Sequence, residues 1–258
     1  MSNLSPLLNV LNKSLRISGK KIIRDFSEIE KLQSSIKNTD KYVNIAKSNL
    51  ENDIYLLLKK IKPDLDIFTY GNSKYDNNWL INTIDSPVNF SRGIENFCIN
   101  VSLKENDKIT TCIIYNPIRD EIFNFQNGLG SFKNDYRIRV SERKRLNESV
   151  VSFYNQVNKK DQNNIIGNIR QIIKANNIET RESGSIYSDV CHIASGKIDC
   201  FLLPKQNIDL KKNFTLILSE SGGMMSELKI NDQEICIVSN KYIGKIIKEM
   251  IENRYETR

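Results

Sequence analysis

The sequence contains no long run of apolar residues. Its 258 residues are 39% hydrophobic and 27% charged, and no stretch approaches the roughly 20 apolar residues that a membrane-spanning helix needs. Residues 1–21 lack the basic start, the apolar centre and the small-residue cleavage site of a signal peptide. We therefore expect a soluble, cytoplasmic protein with no membrane partner.

Residues that bind zinc or form disulfides are scarce. His192 is the only histidine, and a single histidine cannot form a histidine-ligated metal centre. The cysteines are five in number, widely spaced and without a C-x-x-C pair: Cys98, Cys112, Cys191, Cys200 and Cys236. This pattern favours buried, reduced thiols over disulfide bonds or a zinc site.

Acidic residues are outnumbered by basic ones, 31 against 38, which gives a net charge of +7 and a pI near 9.0. Such a charge permits binding to nucleic acid or to an acidic partner. The lysines are nevertheless spread along the whole chain. The densest basic segment is RIRVSERKR, residues 137–145, in which Ile138 and Val140 alternate with polar residues as in a strand. A nucleic-acid partner is therefore permitted by the charge but not indicated by it.

The first half of the chain predicts helices followed by strands. Apolar residues recur at near-helical spacing over 5–26 and 42–62, and Pro63 closes the second helix. Short β-branched runs from residue 66 to residue 125 then predict a mostly antiparallel sheet. Within that sheet, 97–104 and 109–116 are joined by a turn-like link and predict a hairpin.

The second half alternates between the two kinds of element. The predicted elements are a strand at 150–154, helices at 161–176 and 184–195, a strand at 198–204, a helix at 211–221 ended by Gly222-Gly223, a strand at 234–240, and a helix at 241–253 with Asn240 as its N-cap. We therefore divide the chain into an α+β half, 1–145, and an α/β half, 146–258. We expect the two halves to pack as one structural unit.

Four segments, in order, resemble the inositol monophosphatase family. They are WLINTIDSPVNFSRGIENF (79–97), CIIYNPIRDEIFNFQNGLGSFKN (112–134), RESGSIYSDVCHIASGKIDCFL (181–202) and ILSESGG (217–223). The resemblance covers almost the whole chain. It implies an α/β fold, the layered α-β-α-β-α sandwich of the inositol monophosphatase and fructose-1,6-bisphosphatase type. It also implies a homodimer, and we expect an apolar face of the antiparallel sheet to form its interface.

The family reaction is the Mg²⁺-assisted hydrolysis of a phosphate monoester, in which carboxylates hold the metal ions. At the positions that the resemblance assigns to metal, this chain mostly lacks carboxylates. The positions are Tyr70 or Gly71 for a glutamate, Asn82 and Asp85 for two aspartates, Ile84 for a backbone carbonyl, and Leu210 for a third aspartate. Only Asp85 matches. Asp209 is the neighbour of Leu210 and would replace the third acid only after a local shift of the helix.

The positions that the resemblance assigns to catalysis are also changed. Lys47 stands where an aspartate helps to orient the attacking water, although Glu51 keeps the outer glutamate. Ser86 and Pro87 replace a Gly-Thr pair whose backbone N–H groups receive the phosphate, and proline has no N–H. The resemblance therefore implies the loss of one phosphate donor and of the threonine hydroxyl.

The positions that the resemblance assigns to the substrate lie in the second half. Gly184 and Ser185 match the family's substrate-side Gly-Ser pair, while Leu203 stands where the family has a substrate-contacting glutamate. A helix N-terminus would use a Gly-Ser pair in any case.

These residues are compatible with two functions. In the first the chain is not an active enzyme, and in the second it is; the sequence leaves both open. The first is a phosphatase-like protein with a degenerate magnesium site, no cofactor, and a binding or regulatory role towards a partner protein or an anionic ligand. The second is an active Mg²⁺-dependent phosphatase acting on inositol or sugar monophosphates, with Asp209 and Glu51 rebuilding the site. A role in nucleic-acid binding or in a transcription complex overlaps the first.

Overall fold

The computed structural model describes residues 4–32, 39–155 and 165–256. The chain divides into two compact units, Met1–Arg137 and Ile138–Arg258, whereas we expected the division at residue 145. Residues 138–145 group with the second unit because they are hydrogen-bonded to it. The backbone N–H of Val140, for example, donates to the carbonyl oxygen of Ser221 at 3.0 Å.

Two long helices form one layer of the first unit, α1 (Pro6–Leu32) and α2 (Thr39–Ile61). Both were predicted, although α1 continues beyond residue 26. Their buried residues recur at helical spacing: Leu8, Leu11, Leu15, Ile22, Phe26 and Ile29 in α1, and Val43, Ala46, Leu50, Ile54 and Leu58 in α2. These residues form one hydrophobic cluster with Trp79, Ile81, Val101 and Ile113, so the helices cover one face of the sheet that follows.

That sheet has seven strands in chain order: β1 (Asp66–Thr69), β2 (Asn78–Asn82), β3 (Ile99–Glu105), β4 (Lys108–Asn116), β5 (Glu121–Gln126), β6 (Gly130–Lys133) and β7 (Tyr136–Arg137). Only β1 and β2 are parallel; the other pairs are antiparallel, as predicted. A short helix, α3 (Pro87–Ser91), lies between β2 and β3.

Strands β3 and β4 are buried on both faces. The homodimer and its interface on an apolar face of this sheet stay predictions. One expectation about this region is wrong. The basic segment 137–145 is not a strand. Only Tyr136–Arg137 pairs in β7, and residues 138–145 have no regular secondary structure, because their polar groups bond to the second unit instead of to a neighbouring strand.

The second unit is built on a mixed sheet in the order β11-β12-β10-β8-β9. Its strands are β8 (Val150–Phe153), β9 (Glu179–Arg181), β10 (Cys200–Pro204), β11 (Met224–Ile230) and β12 (Gln233–Ser239). Strands β8, β9 and β10 are parallel, whereas β10, β12 and β11 pair antiparallel. The strands β9 and β11 were not predicted.

Four helices complete the second unit: α4 (Ile165–Ala175), α5 (Ile186–Ala194), α6 (Ile208–Ser221) and α7 (Ile243–Glu256). The predicted start of α4 at residue 161 lies outside the described residues. Helix α6 begins before residue 211 because the side chain of Asn207 caps it, and it ends at Gly222, whose φ is +85°. As predicted, Asn240 accepts hydrogen bonds from the N–H groups of Tyr242 and Ile243 at the start of α7. No helix in the described parts of the chain is long and apolar enough to cross a membrane.

Candidate functional site

Tyr70 and Asn82 are two of the positions that the resemblance assigns to metal. Both are neighbours of Asn100, which lies in the sheet. Asn82 ends β2, and its partner in the β2–β3 register is Asn100. Tyr70 follows β1, and its hydroxyl donates to Oδ1 of Asn100 at 2.5 Å while lying 2.8 Å from the hydroxyl oxygen of Ser102. The structure therefore brings these two positions together, but with neutral side chains. Gly71 follows with a φ of +84°, a backbone conformation that favours glycine.

Asn100 is the centre of a buried polar group that the sequence reasoning missed. Asn100 and Ser102 are both completely buried. The side-chain amide of Asn100 donates to the carbonyl oxygen of Ile113 at 3.2 Å and so uses its second polar end as well. The sequence signal was available, because Asn100 and Ser102 alternate with apolar residues and must share one face of β3.

The retained acid, Asp85, is engaged with the backbone. Its Oδ1 accepts a hydrogen bond from the N–H of Cys98 at 2.7 Å. The N–H of Asp85 in turn donates to the carbonyl oxygen of Cys98 at 3.2 Å. The neighbouring Ile84 is 2% exposed and packs in the hydrophobic cluster of the first unit. Asp85 therefore ties the β2–α3 loop to the segment that enters β3.

Lys47 and Glu51 lie one helical turn apart on α2. The ammonium Nζ of Lys47 is 3.9 Å from Oε1 of Glu51, and the same oxygen accepts a hydrogen bond of 3.4 Å from the hydroxyl of Thr83. Thr83 is fully buried and stands between Asn82 and Ile84 in the chain. The structure thus places both the lysine and the outer glutamate of the family motif next to the β2–α3 loop.

Pro87 occupies the first position of helix α3, and Ser86 precedes it as N-cap. Proline suits this position because its φ fits a helix and its missing N–H would have no intrahelical partner. The change from the family pattern is therefore compatible with the helix. It nevertheless removes one of the backbone donors that would face a phosphate.

In the second unit the Gly-Ser pair acts as a helix cap. Gly184 has a φ of +79°, and the hydroxyl oxygen of Ser185 accepts the N–H of Ser188 at 3.1 Å at the start of α5. Ser183 donates to the buried carboxylate of Asp189 at 2.7 Å. Leu203 is fully buried in β10 opposite Cys236, so this position is apolar.

Asp209 and Leu210 are both buried in the first turn of α6, with 3% and 7% of their surfaces exposed. The N–H of Leu210 donates to the side chain of Asn207 at 2.9 Å. A carboxylate is favoured near a helix N-terminus because the helix dipole is positive there. That Asp209 replaces the third acid of the family stays a prediction.

The described residues at these positions bring few carboxylates together. Among the residues that the structure describes, no group of three or more His, Cys, Asp and Glu side chains is placed to hold a metal ion. Magnesium demands near-octahedral oxygen coordination and is usually bound through carboxylates. In the first unit the carboxylates described near these positions are Asp85, which bonds to the N–H of Cys98, and Glu51, which bonds to the hydroxyl of Thr83.

The elements described above define a protein of the layered α/β class. The chain belongs to the inositol monophosphatase family, whose sequence model matches residues 3–252. It is 27% identical to the inositol-1-monophosphatase of Rhizobium meliloti, with 96% of this chain and 97% of that protein covered. It is 26% identical to the Nus factor SuhB of Pasteurella multocida, with 96% and 95% covered.

Solved structures show the same fold. The extragenic suppressor protein suhB of Bartonella henselae superposes with a TM-score of 0.79 at 26% identity, over 96% of this chain and 99% of that one. The inositol monophosphatase of Anabaena superposes with a TM-score of 0.78 at 21% identity, over 98% and 97%. These likenesses confirm the predicted layered α/β fold of the inositol monophosphatase type.

Proposed function

We propose that this chain is an inositol-monophosphatase-like protein with a degenerate Mg²⁺ site, little or no phosphatase activity, and a binding or regulatory role in the cytoplasm. The observation that carries the proposal is the hydrogen-bonded group of Tyr70, Asn100 and Ser102. These neutral side chains are bonded to each other, and Tyr70 is one of the two positions, with Gly71, that the resemblance assigns to a metal-binding glutamate.

Charge supports the same conclusion. Asp85 contributes one carboxylate, and one oxygen of that carboxylate already accepts the N–H of Cys98. Lys47 adds a positive charge on the adjacent helix, at a position where the family has an acid. A divalent cation is bound by several negative or strongly polar oxygens, so these substitutions weaken its binding together more than any one of them would alone.

The residues that would bind the phosphate support the proposed loss of phosphatase activity independently. Pro87 removes a backbone donor at the N-terminus of α3 and also removes the family's threonine hydroxyl. Removing one donor that stabilises a transition state typically costs a factor of about 10²–10³ in rate. Reduced metal binding would lower the rate further, because the metal supplies both the nucleophilic water and the charge stabilisation.

We propose a binding role because the fold is retained while the chemistry is weakened. A cleft of this family that lacks its metal can still hold an anionic ligand, and the chain can still form a homodimer or bind a protein partner. Several relatives, among them that of Pasteurella multocida, are named Nus factor SuhB, a name that is not that of an enzyme. This supports a regulatory role and leaves the partner to experiment.

A second candidate function is an active Mg²⁺-dependent phosphatase on inositol or sugar monophosphates. Its specific support is the buried carboxylate of Asp209 in the first turn of α6. Glu51 and Asp85 would supply the other acids, and the relative from Rhizobium meliloti is named an inositol-1-monophosphatase. In that case Asp85 and Asp209 would both be required for turnover.

The test is a phosphate-release assay with inositol 1-phosphate and an aryl phosphate over a range of Mg²⁺ and Mn²⁺ concentrations. The variants are Pro87→Thr alone, and the combination Lys47→Asp, Tyr70→Glu, Asn82→Asp, Ser86→Gly, Pro87→Thr and Leu210→Asp. We expect no metal-dependent turnover from the native chain or from Pro87→Thr, because each lacks the metal carboxylates. A trace of activity is expected only from the combined variant.

Asp85→Asn and Asp209→Asn, each made in the native chain, are the matched controls. Native turnover of about 1 s⁻¹ or more, the lower range of ordinary enzymes, would contradict the proposal if both controls abolish it. That outcome would establish the second candidate, with Asp209 as the replacement acid.

A further inference from the structure

We propose that residues 139–145, here named the basic ribbon, bind the phosphate backbone of a single-stranded RNA. The ribbon belongs entirely to the second unit and contains Arg139, Arg143, Lys144 and Arg145. The inference goes beyond the function proposed above and uses none of its site residues.

The ribbon is held by hydrogen bonds along its length, although it belongs to no sheet. The N–H of Val140 donates to the carbonyl oxygen of Ser221 at 3.0 Å. The side-chain amide of Asn240 donates to the hydroxyl oxygen of Ser141 at 2.9 Å and to the carbonyl oxygen of Arg143 at 3.1 Å. The position of the ribbon is therefore fixed by backbone and side-chain bonds together.

Asp199 anchors the ribbon from below. This aspartate is completely buried, and its carboxylate accepts hydrogen bonds from the hydroxyl of Ser141, from Nη1 of Arg143 at 3.3 Å, and from the N–H of Val150 at 2.9 Å. Arg143 also donates to the carbonyl oxygen of Gly196 at 3.0 Å. Arg143 is therefore a structural cation. Arg139 and Lys144 are exposed, and Nη1 of Arg145 lies 3.4 Å from Oε1 of Glu148 in an exposed ion pair, with which a bound phosphate would compete.

Two glycines let the ribbon lie close against the unit. A Cβ on Gly196 would stand 3.1 Å from the nitrogen of Ser141 and 3.2 Å from the carbonyl oxygen of Arg139. A Cβ on Gly223 would stand 3.1 Å from Cγ1 of Val140. A ribbon held so closely loses little conformational entropy when it binds, and such preorganisation raises affinity.

The exposed side of the ribbon combines cations with an aromatic ring. Arg139, Lys144 and Arg145 are exposed, and the last two line a shallow, nearly flat groove together with Ser141 and Gly196. Nζ of Lys144 lies 4.7 Å from the ring centroid of Tyr242, which is 42% exposed. Proteins that bind single strands combine a basic groove along the backbone with aromatic side chains on which bases stack.

Glu142 and Glu148 also line the groove, and this favours a strand over a compact anion. A small multivalent anion in the groove would meet both carboxylates at once. The phosphates of a strand are separated along its length, so they can lie at Arg139, Lys144 and Arg145 while the sugars and bases pass the acids. An acidic protein segment has no bases to stack on Tyr242, which is why we infer RNA as the partner.

The test measures the binding of a fluorescein-labelled single-stranded RNA of mixed sequence to the full chain by fluorescence anisotropy, over a range of salt concentrations. The ribbon variant carries Arg139→Gln, Lys144→Gln and Arg145→Gln and leaves Arg143 in place, so that Asp199 stays bonded. The control variant carries Lys13→Gln, Lys20→Gln and Lys60→Gln, three exposed lysines of the first unit, and loses the same charge.

We expect the native chain and the control to bind with similar salt dependence. In the ribbon variant the slope of log affinity against log salt should fall by about 2, because each phosphate contact of a single strand contributes about 0.7. Equal weakening by both variants, or no RNA binding by the native chain at low salt, would overturn the proposal. Polyglutamate that displaces the RNA at equal charge would also overturn it, since an acidic polypeptide would then be the better ligand. Equal melting temperatures of the three proteins verify that the variants fold.

Discussion

Tyr70 and Asn100 are joined by a hydrogen bond of 2.5 Å, and Asn100 is completely buried. In this pair a phenol bonds to an amide, and Tyr70 is one of the two positions that the resemblance assigns to a metal-binding glutamate. Clustered carboxylates repel each other unless a metal ion lies between them, so neutral replacements remove that repulsion. We infer that the substitution exchanges metal binding for stability of the unliganded fold, a common relation between stability and function.

The first test at this scale is the variant Tyr70→Phe. It removes the hydroxyl that bonds to Asn100 and Ser102 and leaves the ring in place. We expect the free energy of unfolding to fall by about 1 kcal/mol, the usual net contribution of a hydrogen bond, measured by urea denaturation. The matched control is Tyr136→Phe, since Tyr136 is 80% exposed and its hydroxyl is in contact with solvent. Equal stability of the two variants would contradict a structural role for the Tyr70 hydroxyl.

Single residues also show where sequence reasoning reached its limit. The loss of acids at Tyr70, Asn82 and Leu210 could be read from the family pattern. The hydrogen-bond partners of Tyr70 are Asn100 and Ser102. They could have been found only by asking which polar residues of β3 lie on the same face of the sheet as Asn82 of β2. The position of Asp209 could not be read from an ungapped alignment, because the cap at Asn207 sets where α6 begins.

At the scale of elements, two hairpins use the same pair of turn residues. Asn106-Asp107 joins β3 to β4, and Asn231-Asp232 joins β11 to β12, with φ between +46° and +64° at all four residues. Positive φ at both central residues gives a two-residue turn whose twist matches that of the strands, and Asn and Asp tolerate it. The first hairpin was predicted from its apolar flanks. The second was not, because β11 is mostly exposed or half-buried and its polar residues interrupt the apolar run.

The hairpin of β11 and β12 can be tested with two variants at Asn231. Asn231→Val places a β-branched residue at a φ of +46° and should lower the free energy of unfolding by about 1–2 kcal/mol, the cost of left-handed backbone for such a residue. Asn231→Gly should leave the free energy of unfolding near the native value, because glycine adopts a positive φ without steric cost. Thermal or urea unfolding of both variants measures the difference. If valine were tolerated as well as glycine, the turn would not be holding this backbone conformation.

The segment 138–145 is the element that sequence reasoning assigned wrongly. Its alternation of apolar and basic residues is typical of a strand, but Ser141 and Arg143 bond to Asp199, and Asn240 bonds to the ribbon. These partners are far away in sequence, so no local pattern could reveal them. The long helices were predicted well because their apolar residues recur at helical spacing over many turns, and this pattern can be recognised without knowledge of distant partners.

At the scale of the whole molecule, the family resemblance predicted the fold because it spans the chain. The segments that carry it include the hairpin of β5 and β6, the cap at Ser185 and the glycine end of α6, all of which are structural signals. The chemistry depends on a few side chains that can change while these signals persist. We propose that fold and function separate in this protein, because the segments that assign it to the family also carry the residues that differ from the family pattern.

We propose that the native chain has lost its specific Mg²⁺ site, and a titration with Mg²⁺ measures whether it has. We would follow the melting temperature and the heat of binding of the native chain, of Asp85→Asn, and of the double variant Tyr70→Glu and Asn82→Asp. A ligand that binds only the folded state stabilises it by RT ln(1 + [L]/Kd). We expect millimolar Mg²⁺ to leave the native chain and Asp85→Asn equally unaffected, and to raise the melting temperature only of the double variant. A rise of several degrees in the native chain that disappears in Asp85→Asn would contradict the account.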